Sequence, residues 1–596
     1  MTTADRLAHL REFLVKENID GYYIPAGDEH LNEYPPQAKL RRQWLSGFTG
    51  SAGDLLVTKE QAFLFVDSRY YQQADQETDP QFIQVCKLEL DGHKEPQEVL
   101  ADLLDTITPF RLGIDPFVFT LKKVREWQNE LSAKGLEIVP IFHNLVDVVR
   151  KSLEPLPRSG EQLIFPLPKE ITGTEVTEKL SQVRQKMRTT GAEVLPVTKL
   201  DQIAWLLNLR GRDIQCNPVF IAYVILTLDR VYLFTDQSRL TNEVRASLPP
   251  EVTIADYADY SGKLSDLCQG KKVWVSDREV TYGSYLLIKR ATPYLIEKEH
   301  PIELLKAKKN SVEIAQMQKA NLLASVAKTR TYKWLKEQYQ AGKSVSEVDI
   351  ARQIETFYAQ SEGFLELSFP TIAAIGTNGS IVHYGQLDPQ KIAQDGDLIL
   401  LDSGCQFMGG TTDDTRTFVW GEPSPLQKLR YTEILKAHIT CAMTQFPKGT
   451  NGAQLDGIAR ANLWAEKLNY GHGTGHGVGA FLNVHEGPNG ITRKSQQTLE
   501  VGMINSIEPG YYEQNWGGIR LENLYFVREV AEGWLGFQPL TYIPFVKELI
   551  DFNRLSSVQL AWLAEYYRAI QDKLKDYLTP DEQTWLAQEC SISATM

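Results

Sequence analysis

The run GHGTGHGVGAFLNVHEGP, residues 471–488, carries three of the chain's ten histidines. It is rich in glycine and only thinly apolar, so its imidazoles are not core filler. His472 and His476 stand four apart, the spacing of a one-face metal pair on a helix. Two intervening glycines argue against a helix there and for backbone lying close to a ligand. His485 follows in NVHEGP, a loop-like stretch. A lone histidine is ordinarily a hydrogen-bonded structural residue; three in a segment of this make-up point to chemistry.

Reading outward, upstream LILLDSG (398–404) is an apolar run ending on Asp402. A buried carboxylate without a partner is costly, so such a strand ends at a cation, a metal or solvent. Gly404, Gly409 and Gly410 then predict a hairpin returning into TTDDTRTFVW (411–420). Successive strand side chains face opposite ways, so Asp413 and Asp414 do not both enter one site. Asp414 shares a face with Arg416 and is expected to pair with it, which leaves Asp413 for the metal side. Downstream, Glu508 sits in SIEPGYY beside a Pro-Gly turn. Glu522 interrupts IRLENLYFV, where an acid among apolar neighbours needs a partner. Arg520, on the same face, makes a simple salt bridge the competing explanation. One imidazole among four carboxylates is a ligand set for two metal ions. Mostly oxygen donors with a single nitrogen suit Mn²⁺; Zn²⁺ and Co²⁺ fit the same donors.

The totals narrow the function classes. The 596 residues are 42% hydrophobic and 23% charged, an ordinary globular make-up. Sixty-three basic against 76 acidic residues give a net charge of −13, which opposes phosphate binding and disfavours nucleic acid. The six cysteines have neither disulfide-framework nor CxxC spacing, so a reducing compartment is expected. Cys405 lies near Asp402, but a buried inert thiol is the favoured reading over a metal ligand. The charged start MTTADRLAHLREFL is not a signal peptide. The most apolar run, VFIAYVILTL (219–228), is too short for a membrane and reads as a buried strand. No membrane association and a cytoplasmic location are the expectation.

The first half reads as a diverged duplication. Helix-then-strand patterns at 4–25 and 176–196 are each followed by a Trp-Leu pair and glycine, QWLSGFTG (43–50) and AWLLNLRG (204–211). FLFVDSR (63–69) then corresponds to YLFTDQSR (232–239), and LGIDPFVFT (112–120) to VWVSDREVT (273–281). Alternating helices and β-rich runs predict one α/β domain per copy. The linker is placed at LEPLPRSGEQ (153–162), and a second boundary in the basic stretch LLKAKKN near 305. Beyond it a long helix is expected from Ser311, capped by Asn310 with Glu313 three residues on. Further helices are expected at Ser344-x-x-Glu347, at Ser424-Pro425-x-Gln427, and over about 453–469, ending against Gly471. The expected domains are 1–155, 156–305 and 306–596: two α/β domains and an α+β catalytic domain.

The ordered set Asp402, Asp413, His476, Glu508 and Glu522, in these local sequences, resembles the aminopeptidase P/prolidase/creatinase family of pita-bread metallopeptidases. The likeness is greatest to its long, three-domain cytosolic branch and spans essentially the whole chain, including the tail from FQPLTYIPF. It implies two creatinase-like N-terminal domains before a pita-bread catalytic domain, and two divalent ions, usually manganese, held by those five residues. Asp413 and Glu522 would bridge the ions, and His383, His472 and His485 are the implied further site histidines. The implied activity is hydrolysis of the bond before a proline in second position of a peptide, by a water acidified between the ions. Glu508 is the expected proton shuttle; His485 and His383 are expected to bond the oxyanion or substrate backbone. His472 would hold the following residue, and Phe369, Tyr384 and Tyr512 would pack on the proline ring. A homodimer is implied as well. Ile507 and Asp414 depart from the family pattern at positions that are not ligands. The alternatives are a prolidase restricted to dipeptides, a creatinase-like amidinohydrolase, or a metal-free pita-bread module that binds proteins.

Overall fold

A computed structural model describes residues 2–104, 108–157 and 162–592. Residues 158–161 of the expected linker lie outside the described residues. The chain forms two compact units: Met1–Leu167 with Thr174–Gln215 and Val219–Ile302, and Glu303 onward with Pro168–Gly173 and Cys216–Pro218.

The first unit contains two six-stranded mixed sheets of one topology. In the first, central strand Gly21–Ile24 runs antiparallel to Asp54–Thr58 and parallel to Phe110–Ile114. In the second, Val194–Val197 runs antiparallel to Tyr223–Thr227 and parallel to Val273–Val275. Each sheet adds an antiparallel and then a parallel strand on one side, and one more parallel strand on the other. The segments matched in the sequence take equivalent places, helix Thr3–Lys16 before the first central strand and Val176–Thr190 before the second. The apolar run at 219–228 supplies Tyr223–Thr227, buried except at its last residue. Both central strands are buried at every position, which is why they read as unbroken apolar stretches and do not alternate.

The two copies also meet through corresponding segments. Thr120 and Thr281 form an antiparallel bridge, with Leu121 N–H donating to the Val280 carbonyl and Tyr282 N–H to that of Phe119. Each threonine caps the helix that follows it. A segment pairing with its own equivalent is the self-complementary geometry of a two-fold contact.

In the second unit, helix Ser311–Gln340 starts at the expected Asn310/Glu313 capping box, and Pro425–Ala442 at Ser424/Gln427. The intervening helix, Glu347–Ala359, is capped by Ser346 with Asp349, two residues beyond the expected Ser344. Glu347 is thereby freed for another task described below. The fourth helix, Gly452–Ala465, ends before the expected glycine, and Lys467 adopts the positive φ of the turn. The unit contains a three-stranded sheet, Ile372–Ile375, Asp397–Ser403 and Asp414–Trp420, and a six-stranded sheet that includes Gly475–Gly477, Glu486–Ile491, Ile504–Ile507 and Asn523–Ala531. An isolated bridge between Thr415 and Glu522 joins the two sheets. Among the described residues, no helix is long and apolar enough to cross a membrane.

Candidate metal centre

Each expected ligand stands at a strand end or a break in a ladder, where a side chain leaves the sheet's regular packing. Asp402 pairs across to Ile372 and Thr415 near the end of its strand. Asp413 immediately precedes strand Asp414–Trp420. His476 is the middle residue of the short strand Gly475–Gly477. Glu508 follows strand Ile504–Ile507, its N–H held 2.7 Å from the Thr474 carbonyl. Glu522 falls between Gly517–Arg520 and Asn523–Ala531, so the expected continuous strand is broken at the acid.

These positions converge. His476 Nε2 lies 3.3 Å from Asp413 Oδ2, 3.7 Å from Glu508 Oε1 and 4.0 Å from Glu522 Oε1. One donor atom from each of Asp413, His476 and Glu522 lies within 4.8 Å of the others. His476 Nδ1 is 3.0 Å from the Gly477 carbonyl. An Nδ1–H donated there leaves the Nε2 lone pair facing the carboxylates, the tautomer a metal ligand requires. Asp402 joins through charge: its carboxyl and that of Asp413 feel each other, and Arg520 Nη2 is 2.6 Å from Asp402 Oδ2.

The electrostatics describe a site short of positive charge. Burial, followed by the nearby carboxylates, raises the Glu522 carboxyl far above its usual range. Burial also raises Glu508 and Asp402, against the opposing pull of His476 on the former and Arg520 on the latter. For His476, burial disfavours the cation, but the hydrogen bond to Asp413 and the charges of Glu508 and Asp413 prevail and raise it to about 9. Acids that crowd together and resist ionisation are relieved by a cation among them. The donor set, one imidazole and buried carboxylates within coordination reach, fits two divalent oxygen-preferring ions.

One expected pairing is corrected, and one competing salt bridge is not formed. Asp414 pairs with buried Lys328 of the long helix, at 2.9 Å, and not with Arg416. Arg416 instead bonds the carbonyls of Thr415, Glu522, Pro544 and Ile543 and the Asn523 side chain. A guanidinium with five donors suits such a cage of carbonyls. Arg520 is ion-paired to Asp402, not to Glu522, because the break at Glu522 takes the two side chains off a common face. Glu522 Oε2 accepts from Thr415 Oγ1 at 2.7 Å.

Of the further histidines, His485 packs edge-on to His476, ring centres 4.4 Å apart. His472 lies with Nε2 2.9 Å from the Tyr512 hydroxyl and Nδ1 3.9 Å from Glu508 Oε2. His383 is half-buried in the segment after Gly376–Ser380. That segment is organised by Glu347, which accepts from Ile375 N–H, Asn378 Nδ2, Tyr384 OH and Asp388 N–H. Tyr384, Ile372, Ile381 and Leu400 form an apolar cluster against which Tyr512 packs. Phe369 is half-buried. Cys405 is buried and bonded to Thr412, its thiol pushed up by burial, the inert state expected of it.

Reading the residues in order missed Arg520 as the partner of Asp402 and the Tyr512 hydroxyl, which accepts from Arg520 Nη1 at 2.7 Å. It also missed Glu347. The available signal for Arg520 was a charge flanked by the apolar Ile519 and Leu521; Glu347, in SVSEVD, carried none.

Comparison with known proteins agrees with this geometry. Residues 315–529 match the family described as metallopeptidase family M24, and 533–592 its C-terminal region. Residues 6–151 and 155–313 each match a creatinase/prolidase N-terminal domain. A probable Xaa-Pro aminopeptidase P of Coprinopsis cinerea is 36% identical over 98% of both chains. Xaa-Pro aminopeptidase 1 of Dictyostelium discoideum is 35% identical over 96% of this chain and 92% of its own. The crystal structure of an X-prolyl aminopeptidase from Caenorhabditis elegans, described as a cytosolic enzyme with a di-nuclear active site, superposes with a TM-score of 0.95 at 30% identity over the whole of both chains. The chain belongs to metallopeptidase family M24, with two creatinase-type α/β domains preceding a pita-bread catalytic domain. Within that family its full-length similarity is to the Xaa-Pro aminopeptidases.

Proposed function

We propose that the protein is a dinuclear metal-dependent Xaa-Pro aminopeptidase, releasing the first residue of peptides whose second residue is proline. The observation that carries this reading is the convergence of Asp413, His476 and Glu522, with Glu508 at 3.7 Å from the same imidazole nitrogen. Asp402, Asp413, His476, Glu508 and Glu522 hold two divalent ions, Mn²⁺ above Zn²⁺ or Co²⁺. When bound, the ions supply Lewis-acid activation of water and of the scissile carbonyl.

Glu508, its carboxyl raised by burial, accepts a proton from the attacking water and delivers it to the leaving proline nitrogen. That nitrogen has no hydrogen in the peptide and needs one to leave. His485 and His383 donate to the developing oxyanion or the substrate backbone, and His472, braced by Tyr512, holds the residue beyond the scissile bond. The cluster of Ile372, Ile381, Tyr384 and Tyr512 gives the pyrrolidine ring an apolar surface. The same reading gives domains at 1–155, 156–305 and 306–596, a cytoplasmic homodimer, and no nucleic-acid or membrane partner.

The test is release of arginine from an Arg-Pro-Pro peptide by metal-free protein supplied with Mn²⁺, with the dipeptide Arg-Pro alongside. Tripeptide cleavage abolished by chelation supports the reading. Cleavage of the dipeptide alone makes the protein a prolidase. Failure to bind ions leaves a protein-binding module.

A further inference from the structure

The basic stretch LLKAKKN, 304–310, marks a boundary in the sequence but is bound into the catalytic unit in the fold. Lys306, on helix Pro301–Ala307, places Nζ 2.8 Å from Glu486 Oε2. Lys309 pairs with the other oxygen, Oε1, of the same carboxylate. All three side chains are inaccessible to solvent or nearly so. The Lys309 backbone is pinned too, its N–H 3.0 Å from the Gly502 carbonyl.

Space has been left for this arrangement. A Cβ on Gly479 would come within 2.6 Å of Leu482 Cβ and 2.9 Å of both the Asn483 carbonyl oxygen and Glu486 Oε2, and one on Gly487 within 2.7 Å of Glu303 Oε1. Two glycines of the histidine-rich segment therefore accommodate buried carboxylates, a need separate from ligand approach.

A buried charge trio is a poor device for stability alone, since well-packed apolar residues serve as well or better. What it supplies is a fixed position for the carboxylate. Glu486 opens strand Glu486–Ile491 and stands opposite Gly477 in the ladder. His476 precedes Gly477, and His485 precedes Glu486. Fixing Glu486 thus fixes the residue next to His485 and opposite the neighbour of His476, the two histidines whose rings touch.

We propose that Lys306 and Lys309 are positioning residues: by gripping Glu486 they fix the turn that presents His485 against His476 and the substrate. The segment ahead of the peptidase domain thereby becomes part of its machinery. The kinetic consequence rests on the peptidase reading; the placement of His485 does not.

The test uses the full chain carrying Lys306→Met, Lys309→Met, Glu486→Gln, or the last two together. Lys308→Met, which loses only a half-exposed pair with Glu500, is the control. Expected with Mn²⁺ are a kcat lower by about 10- to 100-fold, as for other outer-shell partners, and a KM little changed. The double variant should lose less than the product of the single losses. In Zn²⁺-loaded protein with isotope-labelled histidine, the His485 ring signals should shift or broaden while those of buried His438 stay. Folded variants with wild-type kcat and an unmoved His485 signal overturn the proposal. If the variants do not fold, hydrogen exchange of the wild-type holoenzyme decides. Residues 304–310 and 484–491 should then open as one unit, and protection of 484–491 after 304–310 has opened overturns it. If wild-type protein cleaves no Xaa-Pro bond, the peptidase reading fails and the His485 signal still decides the placement.

Discussion

Acids held by a cation in the N-terminal unit and those of the candidate metal centre behave in opposite ways. Asp213, Asp147 and Glu29 of the N-terminal unit each have a cation close by. Arg239 grips Asp213 with both of its terminal nitrogens, and Arg41 does the same to Asp147 through Nε and Nη2. Burial would raise Glu29, yet Lys39 and Arg41 hold it down to about 2. In the catalytic unit Asp402, Glu508 and Glu522 are all raised, by burial first and further by the neighbouring carboxylates, which the nearby cations do not offset. The residue type is the same and the burial similar. What differs is whether the chain supplies the compensating charge or leaves it to come from outside.

The largest break in that contrast should come from the centre itself. Glu508→Gln is expected to abolish turnover with the fold intact, read by peptide release and circular dichroism; full activity would remove Glu508 from its role. Asp413→Asn and His476→Ala should lower bound metal, measured by elemental analysis. Asp413→Asn should also raise the melting temperature of the metal-free protein, because one of several repelling charges is gone. A metal-free melting temperature that falls would count against the under-compensated centre.

The same chemical change in the other unit should have the reverse sign. Asp213→Asn leaves the buried Arg239 guanidinium without its counter-charge and should destabilise that unit by about 3–5 kcal/mol, seen in denaturant unfolding. Protein that stays folded should keep its metal content.

Acid titration sharpens the comparison with smaller effects. Buried His438, bonded to the Leu521 carbonyl and the Tyr525 hydroxyl, is lowered by burial, and then by the Arg416 charge, to about 3. A depressed histidine leaves stability intact above the unfolded value of about 6.5 and erodes it as pH falls towards 3. His438→Asn should flatten that slope. Glu29, lowered to about 2, contributes stability present above the unfolded value of about 4.3 and lost on going down through 2. Glu29→Gln should remove only that last, most acidic portion of the loss.

Much of this was legible in the residue order. The duplicated helix-strand patterns of the first half land on equivalent strands of two like sheets, because burial on both faces leaves a strong apolar signature. The capping boxes at Asn310 and Ser424 stand where they were read, since a cap is settled within four residues. At Ser344 the same motif misled: Ser346 and Asp349 offer a second box two residues on, and Glu347 does more for the fold by holding the His383 segment. Asp413 separated from Asp414 by strand alternation, and that reading placed Asp413 among the clustered donors. The partner named for Asp414 was wrong, because Lys328 lies 86 residues away and no local periodicity reports it.

The amino-acid order by itself singled out the side chains proposed to carry the chemistry: five candidate donors, their strands and turns, and the charge deficit they create together. Those are properties of residue type and near neighbours. Only the tertiary structure decided how each donor is held: Arg520 on Asp402, Thr415 on Glu522, two buried lysines on the carboxylate beside His485. Such contacts join residues scores apart in the chain. Their energy exists only once water has been excluded around both partners, and nothing in a local stretch of sequence encodes that.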